Sequence, residues 1–276
     1  MTKMCLVHLV RSENGLEPTK RFLESYKKYP AGIPHKLLII FKGFRKGEQR
    51  EYLELLQPFS SDSMNVMDFG FDIRPYFMTV KRFDFQYFVF LNSFSTVLCK
   101  DWMAKMYECV KFPSVGAVSA TGSWESIYAN ILNQTPDNAL RLKLIRLIRQ
   151  NMWRHQFPEF PNYHLRTNAF MASRELLLNI RVPLMFRKKD AHRFESGVHS
   201  FTRQIINMNK NVLVVGRDGV GYEKEAWALS DTFRQGNQGN LLIADNQTNA
   251  FSVANIEVRQ KLSKAAWGNV MAEMPV

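Results

Sequence analysis

The chain has 276 residues, of which 46% are apolar and 13% aromatic, and it carries a formal net charge of +12. That length buries one sizeable α/β core, and the apolar content excludes extensive disorder. The excess of Lys and Arg predicts attraction to phosphate-bearing partners without saying which.

The first elements alternate in type. MCLVHLVR (residues 4–11) reads as a strand, LEPTKRFLESYKKYP (16–30) as an amphipathic helix opened by Glu17-Pro18, HKLLIIFKG (35–43) as a buried strand, and GEQREYLELLQPF (47–59) as a helix. NVMDFG (65–70) reads as a short strand, RPYFMTVKRF (74–83) as a helix, YFVFLN (87–92) as a strand, CKDWMAKMYECVKF (99–112) as a helix and VGAVSAT (115–121) as a strand. Strands separated by single helices imply a mostly parallel sheet with helices on both faces. Ligands of such sheets bind beyond the carboxyl ends of the strands. That rule selects Val10 to Ser12, Lys42-Gly43, Asp68 to Asp72, Asn92 to Ser95 and Ala120 to Ser123.

From residue 123 to 153 the pattern is long and helical, with Arg141, Lys143, Arg146 and Arg149 beside an apolar stripe. This reads as a packed surface helix, with an acceptor-facing or membrane-facing helix as the alternative. A proline-rich connection, FPEFPNYH, leads to LRTNAFMASRELLLNI, a strand running into a helix. RKKDAHRFESGVHSFTRQIINM begins as a basic loop and finishes as a helix, and NVLVVGRDG is the last clear strand before a tail of loops and short helices. The expected organisation is a catalytic domain over 1–215, divided near 123/124 into a nucleotide half and an acceptor half. A mixed α/β extension over 216–276 packs on it.

Several chemistries are excluded by pattern. GRDGVG at 216 lacks the spacing of a phosphate loop, no Gly-x-Ser run has an elbow context, and no His pair has metal-ligand spacing. Cys5, Cys99 and Cys109 read as reduced thiols at or near the core. The start MTKMCLVHLVRSENG meets His8 and Arg11 too early for a signal peptide, and no run approaches the roughly 18 apolar residues of a spanning helix. A cytoplasmic protein is expected, with peripheral contact at the inner face of a membrane through NIEVRQKLSKAAW, although docking of that helix on its own domain is the simpler reading.

YFVFLNSFSTVLCKDWMAKMYECVKFPSVGAVSATGSWES resembles the middle of a family 2 glycosyltransferase with the GT-A fold, where a buried strand delivers a metal-binding acidic motif and a helix near a Trp follows. The resemblance extends over roughly residues 4–205. It implies the nucleotide-diphospho-sugar transferase fold and a sugar transfer of the EC 2.4 hexosyl or deoxyhexosyl class, as in polysaccharide biosynthesis. The implied partners are a nucleotide-sugar donor and a glycan or lipid-linked acceptor, with no specific nucleic acid. It further implies that Val10, Arg11 and Ser12 flank the base, that Asp68 or Asp72 contacts base or ribose, and that Asn92, Ser93 and Ser95 stand where the DxD acids stand. An amide and hydroxyls cannot neutralise a hard cation, so no metal cofactor is expected, with Mn²⁺ or Mg²⁺ held through Asp101 or Asp68 and water as the alternative. Protein cations can stabilise the leaving diphosphate instead, and Lys188, Lys189, Arg193 and Arg166 are assigned to that clamp.

In inverting members a carboxylate takes the acceptor proton. Glu195 matches the first acid of that motif, Ser196 replaces the second, and Asp190 is the alternative base. His164, Trp124 and Trp227 are candidate acceptor-binding residues, although single Trp rings are more often core. The amide-rich stretch from Asp231 to Gln247 can pair with sugar hydroxyls or with its own turns. Two other activities compete. A nucleotidyltransferase on a similar sheet calls for a Gly-rich basic loop after the first strand, which RSENGLEP does not match. A basic nucleic-acid-binding module fits the charge but not the motifs.

Overall fold

The computed structural model describes residues 3–128 and 153–269. The helix expected over 123–153, with its four cations from Arg141 to Arg149, lies largely outside the described residues. In chain order the elements are β1 (Met4–Arg11), α1 (Glu17–Lys28), β2 (Lys36–Lys42), α2 (Arg50–Leu56), β3 (Ser61–Val66), α3 (Ile73–Arg82), β4 (Tyr87–Leu91), β5 (Thr96–Val97), α4 (Trp102–Val110), β6 (Val115–Ser119) and β7 (Gly122–Ser123). After these come β8 (His164–Leu165), β9 (Ala169–Ser173), α5 (Arg174–Asn179), α6 (Lys188–Ser196), α7 (Phe201–Asn207), β10 (Asn211–Val215), β11 (Gly221–Tyr222), β12 (Ile243–Ala244), α8 (Asn246–Val253) and α9 (Ile256–Trp267).

Eight strands form one sheet in the order β11-β10-β6-β9-β4-β1-β2-β3. β3, β2, β1 and β4 pair in parallel, as do β10 and β6. β9 runs antiparallel between β4 and β6. The sheet is therefore mostly parallel, and an antiparallel strand inserted at its centre reverses neither neighbour. Alternation along β1 sends Cys5, Val7 and Leu9 to one face and Leu6 and Val10 to the other. The first face is covered by α3, α5, α6 and α7 through Tyr76, Leu177, Phe194 and Phe201. The second is covered by α1, α2 and α4 through Phe22, Leu56 and Trp102. Helices α1 to α4 show an apolar stripe toward the sheet, which is why the 3.6-residue pattern found them.

Two expectations are corrected. The third strand is Ser61–Val66 rather than 65–70, because at the sheet edge only Met64 is buried and the strand carries no apolar run to mark it. The basic segment from Arg187 is helical almost from its start: Asp190 accepts from the backbone N–H groups of Phe186 and Arg187 at 3.1 and 3.0 Å and closes a capping box. The last described helix does not stand apart. Trp267 is fully buried with its indole N–H on Phe233 O at 2.7 Å, so α9 docks on its own domain by its last turn. Among the described residues no helix is long and apolar enough to cross a membrane.

Cys5 is buried and unpaired, with burial pushing its thiol up to about 12. The less expected polar group in β1 is His8. Its ring is fully buried, stacked on Phe22 with centroids 3.8 Å apart, and neither nitrogen has a partner. Burial pushes its pKa down to about 3 from an ordinary 6.5. As pH falls below 6.5 the unfolded chain takes up a proton that the folded ring refuses, so stability falls across that window. The His8→Leu variant, which removes the unsatisfied nitrogens at similar volume, is expected to gain about 1–3 kcal/mol at neutral pH and to lose less stability on acidification. Urea denaturation at pH 7 and pH 5 reads both effects; a variant no more stable than the wild type contradicts the account.

Candidate functional site

The carboxyl ends of β1 and β2 deliver the first group of charges. Gly43, directly after β2, has φ +78, and a Cβ there would meet Ser12 Oγ at 3.0 Å and Asp68 Cβ at 3.1 Å. Glycine thus lets three strand ends close on one another. Ser12 Oγ donates to Gly43 O at 2.9 Å. Lys42, only 2% exposed, places Nζ 3.0 Å from Asp68 Oδ1, and Arg11 Nη2 lies 3.4 Å from the same oxygen while also pairing with Glu13 at 2.8 Å. Burial would raise the Asp68 carboxyl, but the Lys42 and Arg11 bonds and charges outweigh it and hold it below its ordinary value. Asp72 is shifted the other way. Its burial outweighs the pull of Lys42 and Arg11, and the carboxylates of Glu195 and Asp68 add to the rise. Glu195 is thus near enough to Asp72 for the two charges to interact.

Glu195 belongs to a pocket of about 340 Å³ whose lining includes Glu125, His164, Arg166, His192, Phe233, Arg234 and Gln247. The last turn of α6 carries Glu195, and its Oε1 accepts from Thr167 N at 2.8 Å and Thr167 Oγ1 at 3.2 Å. β8, paired with β7, carries His164. Its Nδ1 lies 2.8 Å from Asn162 O, which can only accept, so Nδ1 holds the proton and Nε2 of the neutral ring is an acceptor. Burial lowers the His164 pKa, with Glu195 opposing. Arg166 Nη2 donates to Asp245 Oδ2 at 2.7 Å inside the protein. Burial alone would raise Asp245; the Arg166 charge and the Thr248 donors outweigh it and hold the carboxyl below its ordinary value. Arg234 pairs with Glu125 at 3.2 Å, and both guanidiniums pack on the Phe233 ring, Arg166 at 4.3 Å and Arg234 at 4.8 Å from its centroid.

The structure thus brings Glu195, His164 and Arg166 into one pocket and Arg11, Ser12 and Asp68 together at the strand ends, with Asp72 feeling the charges of both groups. The remaining assigned residues, apart from Ser12, lie elsewhere. Asn92 Oδ1 accepts from Phe94 N at 3.1 Å and Ser95 Oγ at 3.0 Å, so the segment in the place of the acidic motif is a turn closed on itself. Ser93 Oγ is buried without a partner and Ser95 is fully buried, so neither hydroxyl is presented at the surface of the turn. Val10 is 1% exposed, a core side chain. Asp190 is bound as the α6 cap and pairs with Arg193 at 3.6 Å. The Arg187 and Phe186 amides, working against a smaller burial effect, lower its pKa, the wrong direction for a base.

The three α6 cations do not form a clamp with Arg166. Lys189 Nζ sits 4.2 Å over the Trp153 ring, Arg193 donates to Gln156 Oε1 at 2.6 and 3.1 Å, and Lys188 is exposed in the first turn. Trp227 is fully buried with its N–H on Tyr222 O at 2.9 Å, and Trp124 packs edge-on against Tyr163 and Trp267 with its N–H on Lys224 O at 2.9 Å. Both are core residues, with no ring face free for a sugar.

Arg234, Asp245 and Gln247 come from the amide-rich stretch, and Asp245 caps α8 rather than meeting solvent. Lys42 was marked by the strand-end rule alone. Glu125 and Phe233 carry no local signal. Among the described residues no group of three or more His, Cys, Asp or Glu side chains is arranged to hold a metal ion, and the neutral, self-bonded Asn92 turn does not fit one.

No family model and no curated protein matches the chain. Among solved structures, the chain is similar to the mannosyltransferase PcManGT from Pyrobaculum calidifontis, in complex with GDP-Man and Mn²⁺, with 13% identity and a TM-score of 0.49 over 99% of this chain and 76% of that one. It is also similar to the 4-diphosphocytidyl-2C-methyl-D-erythritol synthase from Anaerococcus prevotii, with 10% identity and a TM-score of 0.43 over 76% of this chain and 87% of that one. Likeness at this level carries no inference about activity.

Proposed function

We propose that the protein is a glycosyltransferase that moves a hexosyl or deoxyhexosyl group from a nucleotide-sugar donor to a hydroxyl of a glycan or lipid-linked acceptor. The observation that supports this is a pair of charged groups at the carboxyl end of the sheet: Arg11, Lys42 and Asp68 at the strand ends, and Glu195 in a pocket with Arg166 and Arg234, with Asp72 feeling the charges of both. The first group offers donors and acceptors to a nucleoside. The second offers a carboxylate and two cations at the place where an acceptor meets a diphosphate.

In this reading Glu195 takes the proton of the acceptor hydroxyl as its oxygen bonds to the anomeric carbon. The bond from that carbon to the diphosphate breaks, and its electron pair leaves with the phosphate. Attack from the face opposite the leaving group inverts the anomeric centre. Arg166 and Arg234 stabilise the departing charge from fixed positions, held by Asp245, Glu125 and the Phe233 ring, so little reorganisation is needed when the charge develops. Thr167 fixes one Glu195 oxygen and leaves the other for the acceptor. Arg166 and Arg234 take the clamp role in place of Lys188, Lys189 and Arg193, and no metal is required from the Asn92 turn.

Thermal-shift measurement against UDP-, GDP-, TDP- and CMP-sugars, each with Mn²⁺, Mg²⁺ or EDTA, tests the reading. One nucleotide series is expected to raise the midpoint in EDTA, by the equivalent of about 2.7 kcal/mol at a hundredfold excess over Kd. A shift that requires the metal removes the metal-free clamp. No shift with any nucleotide-sugar removes the donor site itself.

A further inference from the structure

The loop after β3 and the segment leading into α6 meet at the surface. Phe69 and Phe186 form an edge-to-face pair with centroids 5.4 Å apart. Beside them Met67 is 78% exposed and Leu184 72%, and Phe186 itself is 69% exposed. Single apolar side chains on a surface are ordinary, but a group joined across two segments marks a contact surface. Its rim is cationic. The Arg74 guanidinium lies 4.8 Å from the Phe69 centroid, and Arg187 and Lys188 follow Phe186 as exposed side chains. The neighbouring acids are already paired: Asp68, itself exposed, with Lys42 and Arg11, and Asp190 with the Phe186 and Arg187 amides and Arg193. The patch therefore presents apolar side chains ringed by uncompensated positive charge, on a chain whose net charge is +12.

We propose that this patch docks on an anionic lipid bilayer. Met67, Leu184 and Phe186 enter the boundary between headgroups and acyl chains, while Arg74, Arg187 and Lys188 rest on the phosphates. The charge decides between occupants, since an apolar protein partner would have no use for a cationic rim. The β3 loop lies at the carboxyl end of the parallel strands, the end that carries Arg11 and Lys42, so docking there brings the pocket toward the membrane. That a lipid-linked acceptor is served in this way rests on the transferase reading; the docking itself does not.

Sedimentation with vesicles of phosphatidylcholine alone, and of phosphatidylcholine mixed with phosphatidylglycerol, tests it on the full chain. The wild type is expected to sediment with the anionic vesicles and much less with the neutral ones. Leu184→Ser and Phe186→Ser each lower the partition coefficient about tenfold, and Arg187→Gln and Lys188→Gln each about fivefold. Phe112→Ser, at a side chain 55% exposed just before β6 and hence at the opposite end of the sheet, leaves it unchanged. Dichroism and the thermal midpoint confirm that each variant is folded; if Phe186→Ser is not, Leu184→Ser and Lys188→Gln carry the test. The proposal is overturned if the wild type does not bind anionic vesicles, if it binds neutral ones equally, or if the patch variants bind as the wild type does. A loss in Phe112→Ser as large as that in Leu184→Ser also overturns it. None of these readouts depends on a nucleotide-sugar, so failure here leaves the transferase reading standing, and the converse holds.

Discussion

Turnover in the Glu195→Gln variant is expected to fall by about 10²–10⁴-fold, the range contributed by a positioned general base, while the midpoint shift caused by the nucleotide-sugar persists. The substitution keeps the geometry. A Gln side-chain oxygen can still accept from Thr167 N and Thr167 Oγ1, so the chain around it has no reason to move. What it loses is the negative charge and with it the ability to take a proton. The neighbouring ring does not compensate. Burial already lowers the His164 pKa and Glu195 opposes that effect, so without the carboxylate the ring stays neutral to lower pH. A purely structural Glu195 predicts a different result, in which binding and turnover decline together with the midpoint of the free protein. Parallel measurement of donor affinity, turnover and stability separates the two, and unchanged turnover removes Glu195 from the chemistry.

The largest effect on stability is expected at Arg166. Arg166→Met leaves Asp245 fully buried without its counter-charge, and breaking a buried pair from one side costs about 3–5 kcal/mol. For a chain of this size the midpoint falls by roughly ten degrees. The pH dependence distinguishes this cause from loss of packing. In the wild type the Asp245 pKa is held below its ordinary 3.8, so the stability it contributes is present above that value and is lost as pH falls through the folded pKa. In the variant, burial acts unopposed by Arg166 and raises the carboxyl, so the protonated form is favoured in the fold and the defect shrinks as pH falls. Denaturation at pH 7 and pH 4 is expected to show a smaller difference between the proteins at the lower pH. Adding Asp245→Asn recovers part of the loss, since Asn has no charge to strand and still caps α8 through its oxygen. A loss below about 1 kcal/mol for Arg166→Met contradicts the buried pair as described.

The alternation of β1, β2, β4 and β6 with α1, α3 and α4 was legible because each element buries a face of its own, and burial periodicity follows from the two-residue repeat of a strand or the 3.6-residue repeat of a helix. The same rule failed at β3, whose outward residues are polar at a sheet edge, and at α6, where a run of cations hid a helix that the Asp190 cap completes. It reached the site in part. The strand-end rule marked Arg11, Lys42, Asp68 and Asp72, and the family resemblance marked Glu195. It also marked Asn92, Ser93 and Ser95, whose polar atoms the fold uses within the turn or buries.

By itself, then, the sequence determined the α/β class, the mostly parallel sheet, and the strand ends from which function is to be sought, since these depend on neighbours a few residues apart. The tertiary structure alone decided which charges meet. Arg166 finds Asp245 79 residues away and Arg234 finds Glu125 109 residues away, on segments that the sheet order, with β9 reversed at its centre, brings to one rim. No local pattern encodes such pairings, because a buried charge is stabilised by the one partner the fold places within bonding distance, at whatever separation along the chain.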